Sequence, residues 1–457
     1  MAPEIVQLRE RLEALVSSGD MVAVAALLSE VDLHPSDVAD VLEGMPDVAT
    51  QLALLRVLPA ELASEALAEM EEGEERADLL GALSPAEGAE LVGELADDDA
   101  ADLISELEPE EAARILAALP SEDAQELQDL LLYDEESAGG LMTTEFVAIN
   151  GALSARQAID EVRRQGREVE DFYAIFVVDH GERLLGTVPL ADLILAEPDT
   201  SVADLVEDVP VAVTPDADQE EVGRLLSRYN LASLPVVDAD RRMLGRITFD
   251  DVIDVLEAER TEDILRLAGV SELEEVRGEW ADAVRSRLPW LLLNLATASI
   301  ASAAVLLFGA TIERLWYLAA LMPVIAGMGG NSGTQALAVT VRRIALSDGP
   351  LERKSDAVSK ELLVGLVNGL ALGLLAAGVL FLAVSQSGGS LPVLLPFVVL
   401  FALWGNIFVA GFIGAFIPTL LNRVGIDPAV ASSVFLTALT DLVGFTLLLG
   451  LASALLL

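Results

Sequence analysis

The chain has 457 residues, with 75 Asp and Glu against 27 Lys and Arg and a formal net charge of -48, which excludes nucleic acid and anionic lipid headgroups as surface partners and favours cations. Zero cysteines rule out disulfides, thiolate metal centres and cysteine nucleophiles, and two histidines (His34, His180) are too few for an imidazole site, so a metal would meet oxygen ligands, the chemistry of hard ions such as magnesium, calcium or manganese. From Arg287 onward there are 7 acids and 8 bases, leaving 68 acids and 19 bases in the first 286 residues, an acidic soluble part joined to a nearly neutral apolar one.

Met1 to Glu10 has no apolar stretch flanked by basic residues, so no cleavable signal peptide is expected and residues 1–286 are expected to stay in the cytoplasm. From Leu83 a Leu recurs every twelve residues, at Leu83, Leu95, Leu107 and Leu119, opening the blocks LSPAEGAEL, LADDDAADL, LEPEEAARI and LPSEDAQEL. Pro near the first helical position, acids in the first turn and the Ser84 to Glu87 spacing of a capping box mark helix starts. Short helices at a fixed period bury their faces only by stacking, which predicts an all-α superhelical domain over residues 1–132. Asp97, Asp98 and Asp99 fall in one first turn, where complementing the helix dipole accounts for them on its own.

A second repeat follows at an offset of 59 residues: Phe176-Val177-Val178-Asp179, Leu185-Gly186 and Asp192 return as Pro235-Val236-Val237-Asp238, Leu244-Gly245 and Asp251. Each copy reads as a helix, an apolar strand ending in Asp, a polar turn, a Leu-Gly strand and a helix, a duplicated α/β unit. The pattern resembles a tandem pair of CBS domains, 133–207 and 208–268. In that family a Thr or Ser three residues before an Asp binds the ribose of an adenine nucleotide. The resemblance thus implies ATP or another adenine nucleotide at Thr248 and Asp251, while the first copy has Pro189 and Asp192 and lacks the hydroxyl.

An acid-rich stretch, Asp250 to Asp263, closes the second copy. On a helix, Asp251, Asp254, Glu259, Glu262 and Asp263 fall near one another through i, i+3 and i+4 steps. Like charges so placed destabilise unless water solvates them or a cation lies between them. The stretch leads through a connecting helix from Val270 to Arg285, within segment 269–287, into the apolar part.

Residues 288–457 hold five apolar stretches: Leu288 to Phe308, Leu315 to Val341, Glu361 to Val384, Leu391 to Leu421 and Ala429 to Leu457. Each is long enough to cross about 30 Å of hydrocarbon as a helix, given some tilt or breakage. Arg285, Arg287, Arg342, Arg343, Arg353, Lys354, Lys360 and Arg423 share one side if residues 1–286 are inside, leaving Arg314 outside; five spans then put the C-terminus outside a plasma or inner membrane. The second stretch, with Pro323, Gly329, Gly330, Asn331 and Gln335, reads as a broken span that is buried in protein or lines water, with glycine packing between helices as the plainer reading. The fifth carries Asp441 one turn after Thr437. A carboxylate near mid-bilayer costs on the order of 3 kcal/mol, so it is either capped locally by Thr437 or Thr440 or faces an ion. No further buried charge is expected in the membrane part, and no P-loop, nucleophile or catalytic base supports an enzyme.

PVIAGMGGNSGTQ (Pro323 to Gln335), GIDPA (Gly425 to Ala429), Thr440-Asp441 and YDEESAGGLMT (Tyr133 to Thr143), with the order of parts, resemble the MgtE family of magnesium channels over nearly the whole chain. The resemblance implies a homodimer in the lipid bilayer, Mg2+ entering down its electrochemical gradient through a pore on the dimer axis, and cytoplasmic Mg2+ sites that close it. Asp441 matches the pore aspartate, and Thr437, Gly329, Gly330, Asn331 and Gln335 complete the candidate pathway. The regulatory sites fall on Asp218, Glu220, Asp251, Glu259, Glu262, Asp263 and Asp427, and in the helical domain on Asp98 and Asp99. Three positions depart from the pattern: Asn230 where relatives carry an acid, Ser433-Val434 where the turn usually contains Pro, and Gly411 where Asn is common. An ion-coupled divalent cation exchanger and a membrane-anchored nucleotide sensor without transport are the alternatives, and preference among Mg2+, Mn2+ and Co2+ stays open.

Overall fold

A computed structural model describes the chain except for residues 1–7, 10, 13, 17, 31–32, 72, 168, 170–171, 173, 271–279, 346–350, 387–390, 425 and 431–432. It divides into two compact units, Met1–Glu257 and Ala258–Leu457.

In the first unit, short helices follow one another as α1 (Met21–Glu30), α2 (Pro35–Glu43), α3 (Val48–Leu55), α4 (Ala60–Ala68), α5 (Glu74–Gly81), α6 (Pro85–Val92), α7 (Asp97–Ser105), α8 (Pro109–Leu116) and α9 (Ser121–Leu130). Helices of 8 to 10 residues are marginal alone, so tertiary burial holds them. Leu83, Leu107 and Leu119, each two residues before a helix, are buried in one shared core, as the twelve-residue period predicts. The capping box forms: Glu87 N donates to Ser84 Oγ at 3.3 Å and Ser84 N to Glu87 Oε2 at 2.9 Å.

The duplicated α/β unit follows: β1 (Ala148–Asn150), α10 (Ala155–Gln165), β2 (Ala174–Val178), β3 (Leu184–Pro189) and α11 (Leu190–Leu195), then α12 (Gln219–Tyr229), β4 (Ser233–Val237), β5 (Met243–Thr248) and the first turns of α13 (Phe249–Ala268). The 59-residue offset holds down to the backbone. Ala174 pairs with Pro189 and Ser233 with Thr248, and the register slips at Val177/Val178 and again at Val236/Val237. Glu182 and Arg241 share a left-handed φ of 64°, and the Asp before each turn, Asp179 or Asp238, accepts two backbone N–H groups within it. β1, parallel to β2, is too short to have been read from the sequence.

Tyr133 to Thr143 threads along the second copy: Ala138 N donates to Ala217 O at 2.7 Å, Gly139 N to Pro215 O at 2.9 Å and Thr143 N to Arg246 O at 2.9 Å. Its glycine pair is sterically required, since a Cβ would lie 2.5 Å from the Tyr133 ring at Gly139 and 2.6 Å from Asp134 O at Gly140.

The second unit holds the last turns of α13, then α14 (Trp280–Leu306), α15 (Gly309–Arg314), α16 (Leu318–Ala345), α17 (Leu351–Gln386), α18 (Leu395–Arg423) and α19 (Ser433–Leu456). Four helical segments among the described residues are long and apolar enough to cross a membrane: Ala283–Leu306, Val358–Gln386, Leu395–Arg423 and Val434–Leu456. α16, with 28 residues, is also long enough, but glycine, Asn and Gln dilute its apolarity. It is a continuous helix, which corrects the expectation of a broken span. The expected connecting helix also changes: Trp280 to Arg287 belong to α14, and 271–279 lie outside the described residues. α18 is the buried centre of this unit. Gly365, Gly369 and Gly373 let α17 lie directly on it, because a Cβ at each would stand 3.0 Å from the carbonyl oxygen of Ile407, Trp404 and Leu400.

Candidate functional site

α19 packs on the glycine-rich α16 through Leu436, Thr437 and Gly444, and carries Thr440 and Asp441 between them. The α16 glycines sort into two kinds. A Cβ at Gly333 would lie 2.9 Å from Leu436 and one at Gly329 2.2 Å from Asn406, so these two serve close packing; Gly327 has nothing within 4 Å and Gly330 only Thr437 Cγ2 at 4.0 Å. Asn331, Gln335 and Thr437 are exposed, and Asp441 is half-buried. The local cap weighed for Asp441 does not form: Thr440 donates to Thr437 O at 3.0 Å, and Asp441 has no hydrogen-bond or ionic partner among the described residues.

Glu361, on the membrane helix α17, is 8% exposed, which corrects the expectation that Asp441 is the one buried charge of the membrane part. At the edge of an apolar run it reads as interfacial, and packing of α17 on α18 is what covers it. Gly411 lies there too: a Cβ at 411 would meet Glu361 O at 2.9 Å, so helix packing occupies the space that Asn would need.

The acids form two clusters, one in each unit. In the first, Asp98 Oδ1 is buried without a hydrogen-bond partner among the described residues. Burial, then the charges of Asp251 and Asp99, hold the Asp98 carboxyl well above its usual range. Burial also raises Asp251, partly offset by the backbone and hydroxyl of Thr248, both of which donate to its carboxylate. Asp98 and Asp251 therefore come together, while Asp99 is exposed at the same helix start. The buried Arg246 stands beside them: burial pulls its guanidinium down, and Asp98, Asp250 and Asp251 push it up. Asp218 is spent locally, capping α12 by accepting from Glu220 N at 2.9 Å, and both residues are exposed. Asn230 ends that helix at φ 52°, ψ 48°, a left-handed cap that Asn tolerates well.

In the second cluster, Arg266 pairs with both Glu262 and Asp427. Burial raises Asp263, followed by the charge of Asp427, against Arg266 and Arg342. Asp427 Oδ1 also accepts from Ala429 N at 2.8 Å, fixing the GIDPA turn. Among the described residues no three His, Asp or Glu side chains come close enough to hold a metal ion. Arg246 and Arg266 carried no sequence signal, because their partners lie far along the chain; Asn406, a lone amide in an apolar run, could have been flagged.

A set of apolar helices bearing a half-buried carboxylate, joined to an acidic part with a duplicated α/β unit, defines a class: a multi-pass membrane protein with a CBS-bearing soluble part. The divalent cation transporter family MgtE matches residues 322–451, the MgtE intracellular N domain residues 33–136, and CBS domains residues 138–199 and 202–258. Magnesium transporter MgtE of Thermus thermophilus is 38% identical over 333 residues, 72% of each chain. That of Enterococcus faecalis is 37% identical over 332 residues, 72% of this chain and 71% of the relative. The crystal structure of the cytosolic domain of the Mg2+ channel MgtE in complex with ATP superposes with a TM-score of 0.51 at 35% identity, covering 54% of this chain and 99% of that one. The chain belongs to the MgtE family.

Proposed function

We propose that the chain is a magnesium-selective channel that admits Mg2+ down its electrochemical gradient and is closed by Mg2+ on its acidic cytoplasmic part. The observation that carries this is Asp441: a half-buried carboxylate without a hydrogen-bond or ionic partner among the described residues, on an apolar helix of 24 residues, packed on the glycine-rich α16. Asn331, Gln335 and Thr437 are exposed on a single chain, where hydrocarbon would leave them unsatisfied; a second copy facing the first would enclose them, which supports a homodimer and makes α16 the fifth span. Two carboxylates across a wet pore attract a hydrated divalent ion, and the exposed amides of Asn331 and Gln335 meet its water shell. Inward movement of two charges gains about 4.6 kcal/mol per 100 mV. The arginine distribution favours residues 1–286 inside and the C-terminus outside.

For closure, the donors are all oxygens, as a hard cation requires. Asp98 Oδ1 beside Asp251 is the strongest candidate ligand, followed by Glu259, Glu262, Asp263 and Asp427, with Asp218, Glu220 and Asp99 at the exposed surface. Thr248 and Asp251 are the candidate ribose site, and the cytosolic domain of a solved relative forms a complex with ATP. Open probability in excised patches should fall as cytoplasmic Mg2+ rises through about 0.1 to 10 mM; a channel indifferent to it overturns the gating part. Buried Glu361 favours a second reading, ion-coupled exchange, which loses if Mg2+ flux ignores proton and sodium gradients.

A further inference from the structure

We infer that Asn406 is a positioning residue for the ion pathway, holding α16 and α19 at the separation the ion requires; this rests on the reading of Asp441 and Asn331 as pathway residues. Asn406 lies in the middle of the apolar helix α18 with no exposed surface. Its Nδ2 donates to Ile325 O on α16 at 2.9 Å. The same amide fills the room left by two absent side chains: a Cβ would stand 2.2 Å from Nδ2 at Gly329 and 2.7 Å from it at Gly444. Gly329 is two residues before Asn331, and Gly444 is one turn beyond Asp441. One side chain of a third helix thus touches both pathway helices on bare backbone, beside the groups proposed to meet the ion.

Stability alone does not explain this amide. Its Oδ1 is buried without a hydrogen-bond partner among the described residues, and an orphaned acceptor in an apolar core costs more than an apolar residue of the same shape. What Asn supplies that Leu lacks is the donor that ties α16 to α18 at this point.

The test uses the full chain, purified and reconstituted in liposomes, with Mg2+ influx followed by a trapped dye. Asn406→Leu keeps volume and branching but cannot donate. It should retain the parent's melting temperature, yet raise half-saturating Mg2+ and weaken discrimination against Ca2+, each by about 3- to 10-fold, the equivalent of one hydrogen bond. Asn406→Asp gives an independent readout. Its carboxylate has no hydrogen to donate, so it should shift half-saturation and selectivity in the same direction as Asn406→Leu, and Gly444→Ala, whose Cβ would stand 2.7 Å from Nδ2 and displace the amide from the other side, should do so as well. Parent-like half-saturation and selectivity in Asn406→Leu, or in Gly444→Ala, overturns the inference; if Asn406→Leu does not fold, Gly444→Ala decides. A parent that passes no Mg2+, or an Asp441→Asn variant that passes it unchanged, instead sinks the pathway reading on which the inference rests.

Discussion

Arg266 forms ion pairs with Glu262, one helical turn before it, and with Asp427, 161 residues further along the chain. A tethered cation therefore already stands among the acids proposed to bind regulatory Mg2+, and a divalent ion would have to displace it or share them. Asp263, beside Asp427 and raised by burial, completes a cluster in which Arg266, with Arg342 near Asp263, offsets several carboxylates.

Arg266→Gln should accordingly tighten Mg2+ regulation. Removing the internal competitor should lower the Mg2+ concentration that half-closes the channel by about 3- to 10-fold, a charge effect discounted for partial exposure. Arg266→Lys should stay near the parent. Open probability against cytoplasmic Mg2+ in excised patches is the readout. A midpoint moved upward would mean that the ion pairs stabilise the closed form rather than compete with the ligand.

The first cluster predicts how stability depends on pH. Asp98 and Asp251 have folded-state values raised above the ordinary 3.8, so their contribution is complete below 3.8 and is lost as the pH rises through the folded values. Glu87, held at about 2 by its hydrogen bonds with Arg56 and Ser84, has the opposite sign, but its contribution is lost only below the ordinary 4.5 and does not enter above it. With divalent ions chelated, the apparent melting temperature should be higher at pH 5.5 than at pH 8 by about 2–6 °C. Millimolar Mg2+ at pH 8, or Asp98→Asn, should narrow the gap. A melting temperature that rises with pH in chelator would contradict this account.

Gly369→Leu should disrupt the membrane unit, because its Cβ would lie 3.0 Å from Trp404 O and 3.1 Å from Trp404 Cδ1, leaving no room for a larger side chain. Overpacking of this kind costs about 1–3 kcal/mol. Gly378→Leu on the same helix, with nothing within 4 Å of its Cβ, is the control. Thermal loss of the monodisperse peak in size-exclusion chromatography should separate the two; equal behaviour would mean that α17 does not lean on α18 in the membrane.

What the sequence made legible is periodic. Leu83, Leu95, Leu107 and Leu119 announced stacked helices because burial repeats with the stack, and the 59-residue repeat announced two like folds; the structure extends the likeness to the left-handed turn residues Glu182 and Arg241. The apolar runs marked the membrane helices for the same reason. Long-range pairing was hidden, as with Arg266 and Asp427 or Arg246 and Asp98, since nothing local records which charge a folded chain brings near. The continuity of α16 was also hidden: glycine propensity argues for a break, and packing of Gly329 on Asn406 and of Gly333 on Leu436 overrides it. Asp441 was legible because a carboxylate in an apolar run is costly; the burial of Glu361 was not, because it lies at the edge of one.

The most direct test of magnesium conduction is voltage-clamped current through purified protein in lipid, with Mg2+ as the sole permeant cation, comparing the parent with Asp441→Asn. The parent should carry a current that reverses at the Mg2+ equilibrium potential. Asp441→Asn, still folded and of the parent's shape, should lose about 100-fold or more, because the amide keeps the volume and removes the charge that draws a divalent ion into the membrane. A parent without Mg2+ current, or an Asp441→Asn channel that conducts Mg2+ like the parent, would contradict it.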